Sequence, residues 1–221
     1  MKNLQENVVP SSNQNQSDVY VYGNGGFKVM FVGNSITKHS PKPSINWFND
    51  CGMAATKPEN DYVHLIVEKI KREYRPDVSY CITQVANFER AFSKEIVDEL
   101  YPVAKDFKPD IIIMFFGANV SKDYDDDKKP SVKFGEAYEY LRNYLCSKNE
   151  NAMVFHSEGF YIRPVLDSEK KVVAEKYGDS FITLGDIRDK EDTHGMYNHP
   201  NDKGMNEIAE KFWAAIKPKL K

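Results

Sequence analysis

The segment Phe27-Lys28-Val29-Met30-Phe31-Val32-Gly33-Asn34-Ser35-Ile36-Thr37 runs from an uninterrupted apolar stretch into a glycine-led turn that carries a serine. A run this short, without alternation, is the pattern of a strand covered on both faces, and the glycine marks its exit loop. Similar runs recur at Val78 to Ile82, Ile111 to Phe116, Ala152 to His156 and Phe181 to Leu184, each rich in β-branched or aromatic residues. Between them, helical spacing is found over Tyr62 to Tyr74, Ser93 to Phe107, Phe134 to Cys146, Ser168 to Tyr177 and Lys203 to Ile216. Strands alternating with helices predict a three-layer α/β/α sandwich around a central parallel sheet, because parallel neighbours are joined by right-handed crossovers. In such a sheet ligands gather at the carboxyl ends of the strands, so the residues just after each apolar run are the ones to inspect for chemistry.

The 221 residues suit one domain of this kind, and 41% hydrophobic with 29% charged residues supports a packed core rather than a disordered chain. Residues 1–18 are polar and of low complexity, and are read as a flexible N-terminal arm; the folded domain is expected over 19–221. A net charge of −3 and a pI near 6.0 argue against nucleic acid, which demands a concentrated basic face. The longest apolar run falls far short of the ~20 residues of a membrane-spanning helix, so no membrane partner is expected. The start shows no apolar stretch like that of a signal peptide. Cys51, Cys81 and Cys146 are odd in number and spaced for neither a zinc site nor a disulfide framework. They are read as buried free thiols, and a cytoplasmic location is expected. Oligomeric state is left open.

Three strand or loop ends carry candidate chemistry. Gly33-Asn34-Ser35 puts a hydroxyl on a tight turn, although a serine there could equally cap a following helix. Gly117-Ala118-Asn119 follows the strand Ile111 to Phe116, with a side-chain amide able to donate to a developing oxyanion. His199-Pro200-Asn201-Asp202-Lys203-Gly204 precedes the last amphipathic segment; Pro200 holds the chain extended, and Asn201 or Asp202 can cap the helix.

These blocks, in this order, resemble the SGNH (GDSL-like) hydrolases, in which a Ser, a Gly, an Asn and a His lie in separate blocks of one flavodoxin-like domain. The resemblance runs from Phe27 onward. It implies a serine ester hydrolase that needs no metal and no cofactor, with Ser35 as nucleophile and His199 as general base. It further implies an oxyanion held by the Ser35 N–H, the Asn119 side chain and an N–H of the second block. Three positions depart from the family pattern. Asn34 stands where the first block usually has Asp, and an amide can keep that position's local hydrogen bonds. The second block, Thr83 to Arg90, has no glycine, which leaves Ala86 or Asn87 to supply the N–H. Met196 stands three residues before the histidine, where an Asp is usual. The catalytic group is therefore expected to be either a Ser–His dyad, with a backbone carbonyl accepting from the imidazole, or a triad completed by Asp192 or Asp186; the dyad is favoured.

Asn34, His39, Asn87 and Arg90 are read as substrate-binding, and His39, Asn87, Arg90, Asn119 and His156 suggest a polar rim. That rim fits a small or glycan-borne ester, an O-acetyl or other short acyl group on a carbohydrate, better than a lipid chain. Trp47 and Cys51 sit in the same loop as His39, which either shapes a pocket or covers the core edge. Glu89-Arg90 also reads as a local ion pair. His64 is read as structural. Glu158 and Arg163 follow the fourth strand and either line the pocket or serve as loop hydrogen-bonding groups, the second being favoured, and the acidic run Asp123 to Asp127 is read as a solvated loop lacking calcium-loop spacing. Two further functions remain open: an acyltransferase passing the Ser35 acyl group to a sugar hydroxyl, and a catalytically silent carbohydrate-binding domain.

Overall fold

The computed structural model describes residues 18–126 and 133–221; apart from Asp18, the expected N-terminal arm lies outside the described residues, as does Asp127 of the acidic run. The chain begins with β1 (Val19–Tyr22) and β2 (Phe27–Gly33), followed by a long loop to α1 (Tyr62–Glu73), β3 (Val78–Gln84) and α2 (Ala86–Ala91). Next come α3 (Lys94–Leu100), α4 (Pro102–Asp106), β4 (Ile111–Phe115), α5 (Asp123–Asp126) and α6 (Phe134–Cys146). The last part holds β5 (Met153–Ser157), α7 (Pro164–Tyr177), β6 (Ser180–Ile182), α8 (Gly185–Arg188) and α9 (Asp202–Ile216).

The strands form one sheet in the order β1-β3-β2-β4-β5-β6. All neighbours from β3 to β6 pair in parallel, and β1 pairs antiparallel with β3, Val19 opposite Thr83. This edge strand adds an antiparallel element to the expected parallel sheet. Its pattern, one buried residue then three half-buried ones, is that of an edge, where apolar covering is weaker than in the continuous central runs.

Those central runs are apolar throughout because the sheet buries both faces. Val29, Phe31, Ile111, Ile113 and Phe115 pack into the core shared with α1 and α9. Their alternates Met30, Val32, Ile112 and Met114 pack into the core shared with α4, α6 and α7. The segment Ser93 to Phe107 is two helices rather than one, because Pro102 lacks the N–H that would continue α3 and instead starts α4. Proline at the first position likewise starts α7 at Pro164, earlier than the spacing alone predicts. From β2 the chain crosses to β3 on one side and returns to β4 on the other. The carboxyl ends of β2 and β4 therefore flank the topological switch point, where a crevice opens.

Candidate active site

At the end of β2 the chain turns sharply: Thr37 N and Lys38 N both donate to Asn34 O, at 2.9 and 3.0 Å. Gly33 is required there, since a Cβ would lie 1.7 Å from Thr37 Oγ1. The turn presents Ser35 half-exposed, and among the described residues no acceptor takes its N–H. At the other end of the chain, Asn201 caps α9 by accepting from Gly204 N at 3.0 Å, and Asp202 ties that helix to the loop at Thr56 and Asn60. His199 stands just before this cap, and its Nε2 lies 2.8 Å from Ser35 Oγ across 164 positions.

The Nδ1 of His199 lies 3.1 Å from Tyr197 O and 3.3 Å from Tyr161 Oη. A carbonyl oxygen only accepts, so Nδ1 carries the proton and Nε2 presents its lone pair to the serine hydroxyl. Tyr197 O is aimed there by a tight turn, with Tyr197 (φ 52) and Asn198 (φ 60) both in the left-handed region, which costs about 1–2 kcal/mol per non-glycine residue. Burial pushes the His199 pKa below its ordinary 6.5, against the bond to Tyr197 O, which raises it, and with a smaller lowering from His39. The ring is therefore in its neutral, proton-accepting form near neutral pH.

The loop after β4 completes the site. Gly117 has φ 138, a conformation that effectively only glycine holds. Three buried charged residues fasten this loop. Arg163, 6% exposed, donates through its guanidinium to Gly117 O (3.1 Å), Val120 O (2.7 Å) and Ser121 O (2.8 Å), and its Nε pairs with Asp125. Lys170 donates to Phe116 O (3.1 Å) and pairs with Asp167 (2.8 Å), with burial lowering its pKa. Glu89, fully buried, accepts from Gly117 N, Asn119 N, Asn119 Nδ2 and Asn34 Nδ2. A cavity of about 690 Å³ opens over the turn, lined by Ser35, Asn119, Tyr161 and His199, with the exposed Ile162 and Tyr197 at its rim.

Of the residues expected to form the site, Ser35, His199 and Asn119 thus meet at one cavity. Arg163 lines it too, whereas the other expected catalytic and substrate-binding residues do not. Ala86 N donates to Gln84 Oε1 at 2.8 Å, so the N–H expected to serve the oxyanion already has an acceptor in its own turn. Asn87 and Arg90 face outward on α2: Asn87 bonds Asp18, and Arg90 bonds Ala86 O and Asn87 rather than Glu89. Asn34 is 1% exposed, its Oδ1 accepting from Ile36 N (3.1 Å) and its amide donating to Glu89, so it shapes the turn from within. His39 bonds Ser40 O beside Trp47. Trp47 is in the core, whereas Phe48 is 65% exposed.

Asp192 is exposed and pairs with Lys203, and Asp186 pairs with Lys211, so neither carboxylate reaches His199. His156 is buried on the opposite side of the sheet, between Tyr138 Oη (2.7 Å) and Asp179 (2.9 Å), and is no part of a polar rim. Asp123 to Asp126 form the helical turn α5, with Asp125 engaged by Arg163, rather than a solvated loop. Glu89 is the site residue least expected from sequence. Its signal is its place three residues after Ala86 and beside Phe88, an acid on the inward face of α2. For Tyr197 there is no signal, since a backbone carbonyl has no residue type.

No helix among the described residues is long and apolar enough to cross a membrane, and Cys51, Cys81 and Cys146 are buried and free. No family model and no curated protein matches the sequence. Among solved structures, a family two carbohydrate esterase from Clostridium thermocellum, in complex with cellohexaose, superposes with a TM-score of 0.59 at 17% identity, over 89% of this chain and 65% of that one. An acetyl xylan esterase from the rumen bacterium Butyrivibrio proteoclasticus gives 0.55 at 16% identity, over 89% and 65%. This chain thus spans less than two thirds of either protein's length. A protein from Bacteroides uniformis assigned as a GDSL-like lipase gives 0.56 at 18% identity, over 87% and 96%. With its six-stranded sheet flanked by helices and these structural neighbours, the chain has the SGNH (GDSL-like) hydrolase fold.

Proposed function

We propose that this chain is a serine esterase that removes a short acyl group, such as an O-acetyl, from a carbohydrate, through a Ser35–His199 dyad. The observation that carries the reading is the 2.8 Å contact of Ser35 Oγ with the unprotonated Nε2 of His199 at the floor of a cavity. Ser35 Oγ attacks the ester carbonyl carbon as His199 Nε2 takes its proton. The imidazolium so formed is held by Tyr197 O at Nδ1–H and then protonates the departing alkoxide. A water enters, loses a proton to His199 and attacks the acyl carbonyl carbon; the bond to Ser35 Oγ then breaks as His199 returns the proton to that oxygen, releasing the carboxylic acid and the free serine. The oxyanion of each step is met by the Ser35 N–H and the Asn119 amide, and removing one such donor typically costs on the order of 100-fold in turnover.

The aromatic groups at the mouth, Tyr161 and Tyr197, suit a sugar ring, and the glycan-linked esterases among the structural neighbours support the same substrate class. We read residues 19–221 as one domain, and the three free thiols fit a cytoplasmic setting. Incubation with p-nitrophenyl acetate tests the proposal. Steady hydrolysis by the wild type, abolished in Ser35→Ala, is expected. Absence of both turnover and labelling by a serine-directed phosphonate would refute it and leave a silent binding domain.

A further inference from the structure

We infer that Glu89 is a positioning residue that fixes which end of the Asn119 side-chain amide faces Ser35, an inference that rests on the esterase reading for its catalytic consequence. An asparagine amide is nearly symmetric in shape, so packing alone cannot decide whether it offers N–H or oxygen to the cavity. Hydrogen bonding to Glu89 can decide it. Glu89 Oε1 accepts from Asn34 Nδ2 (3.0 Å), Gly117 N (2.5 Å) and Asn119 N (3.3 Å), and Oε2 accepts from Asn119 Nδ2 (2.5 Å). An ionised carboxylate has only acceptor sites, so a reversed Asn119 amide would set its oxygen against Oε2. One Nδ2 hydrogen is thereby directed to Glu89. The other is left for the half-exposed side of Asn119, which lines the cavity with Ser35.

The same carboxylate also registers the two blocks against each other, because Asn34 immediately precedes Ser35 and Gly117 opens the Asn119 loop. A fully buried charge is a poor means of raising stability, since desolvation offsets much of what its bonds return. Four donors converging on one acid from two separate loops instead fit a role in orientation.

Glu89→Gln tests this, because its Oε can replace only one of the two carboxylate oxygens, and its NH2 then meets a donor at the other. In wild-type background kcat for p-nitrophenyl acetate is expected to fall about 100-fold, the loss of one oxyanion donor, with KM nearly unchanged. In an Asn119→Ala background the same substitution is expected to lower kcat by less than about tenfold, what remains reporting the Glu89 bonds to Asn34 and Gly117, since effects exerted through a shared residue do not add. An equal loss in both backgrounds, or no loss in the first, overturns the inference. Should Glu89→Gln not fold, Glu89→Asp, which keeps the charge but is one methylene too short, is put through the same cycle with the same expectation.

The Asn119 side-chain amide is followed in parallel by 15N-resolved NMR. One of its protons is expected downfield, as for a hydrogen bond to carboxylate, and to lose that shift in the Glu89 variant. A wild type that hydrolyses no ester but shows this signature refutes the esterase reading and not the orientation. A signature that is absent, or indifferent to Glu89, refutes the orientation itself.

Discussion

Replacing Arg163 by methionine keeps most of the side-chain volume and removes the guanidinium that fastens the Asn119 loop. Three carbonyls and Asp125 each lose one donor, Asp125 keeping only Val165 N. Gly117 O and Ser121 O each keep a backbone donor, Val120 N (3.4 Å) and Tyr124 N (3.1 Å), but Val120 is buried and its carbonyl is stranded, which costs about 1–3 kcal/mol. Asp125, 18% exposed, loses its counter-ion, and breaking a buried pair from one side costs about 3–5 kcal/mol. These penalties overlap, because one side chain makes all four bonds, so the expected loss of folding free energy is about 3–5 kcal/mol rather than their sum. Arg163→Lys, whose single ammonium cannot reproduce the fork, is expected to lose about 1–3 kcal/mol. Urea denaturation followed by tryptophan fluorescence measures both, provided the slope with denaturant is unchanged. A loss under about 0.5 kcal/mol in Arg163→Met would place it with ordinary surface substitutions and refute the clamp.

Ser35→Ala and His199→Ala are each expected to abolish turnover, and the double variant to lose no more than either alone, measured with p-nitrophenyl acetate; additive losses would separate the two residues. Asp192→Asn and Asp186→Asn are expected to lower the acylation rate less than about tenfold, roughly 1.4 kcal/mol of barrier, and a thousandfold fall in either would name a third catalytic group. Because burial lowers the His199 pKa and the base must be neutral, kcat/KM is expected to hold as pH falls to 6.5 and to decline through a midpoint below it; a midpoint above 6.5 contradicts the buried imidazole. The His156 pKa is also lowered by burial, so the unfolded chain takes up its proton first as pH falls. Stability is present above about 6.5 and is lost below it, by at most about 1.4 kcal/mol per pH unit for this group, and calorimetry across pH 7.5 to 5.5 tests the sign.

The parallel core was legible in the sequence because strands buried on both faces leave continuous apolar runs, and each run found there is a strand of the sheet. Ser35, Asn119 and His199 were legible for a related reason: a switch-point crevice draws on strand and helix ends, and glycine, proline and capping residues mark those ends locally. What closes around them was not legible. β1 carries the weak pattern of an edge, and Pro102 outweighs a helical spacing that runs straight through it. Asn87 and Arg90 stand near the site in sequence but on the outer face of a short helix, whereas Glu89, one residue away, turns inward. Whether a side chain turns toward the site depends there on a 100° step that a helix of only six residues leaves undefined until it packs. The orientation of His199 is decided by the Tyr197 carbonyl, a group every residue possesses. Only the folded turn, with Tyr197 and Asn198 held in left-handed conformations, determines that it faces Nδ1.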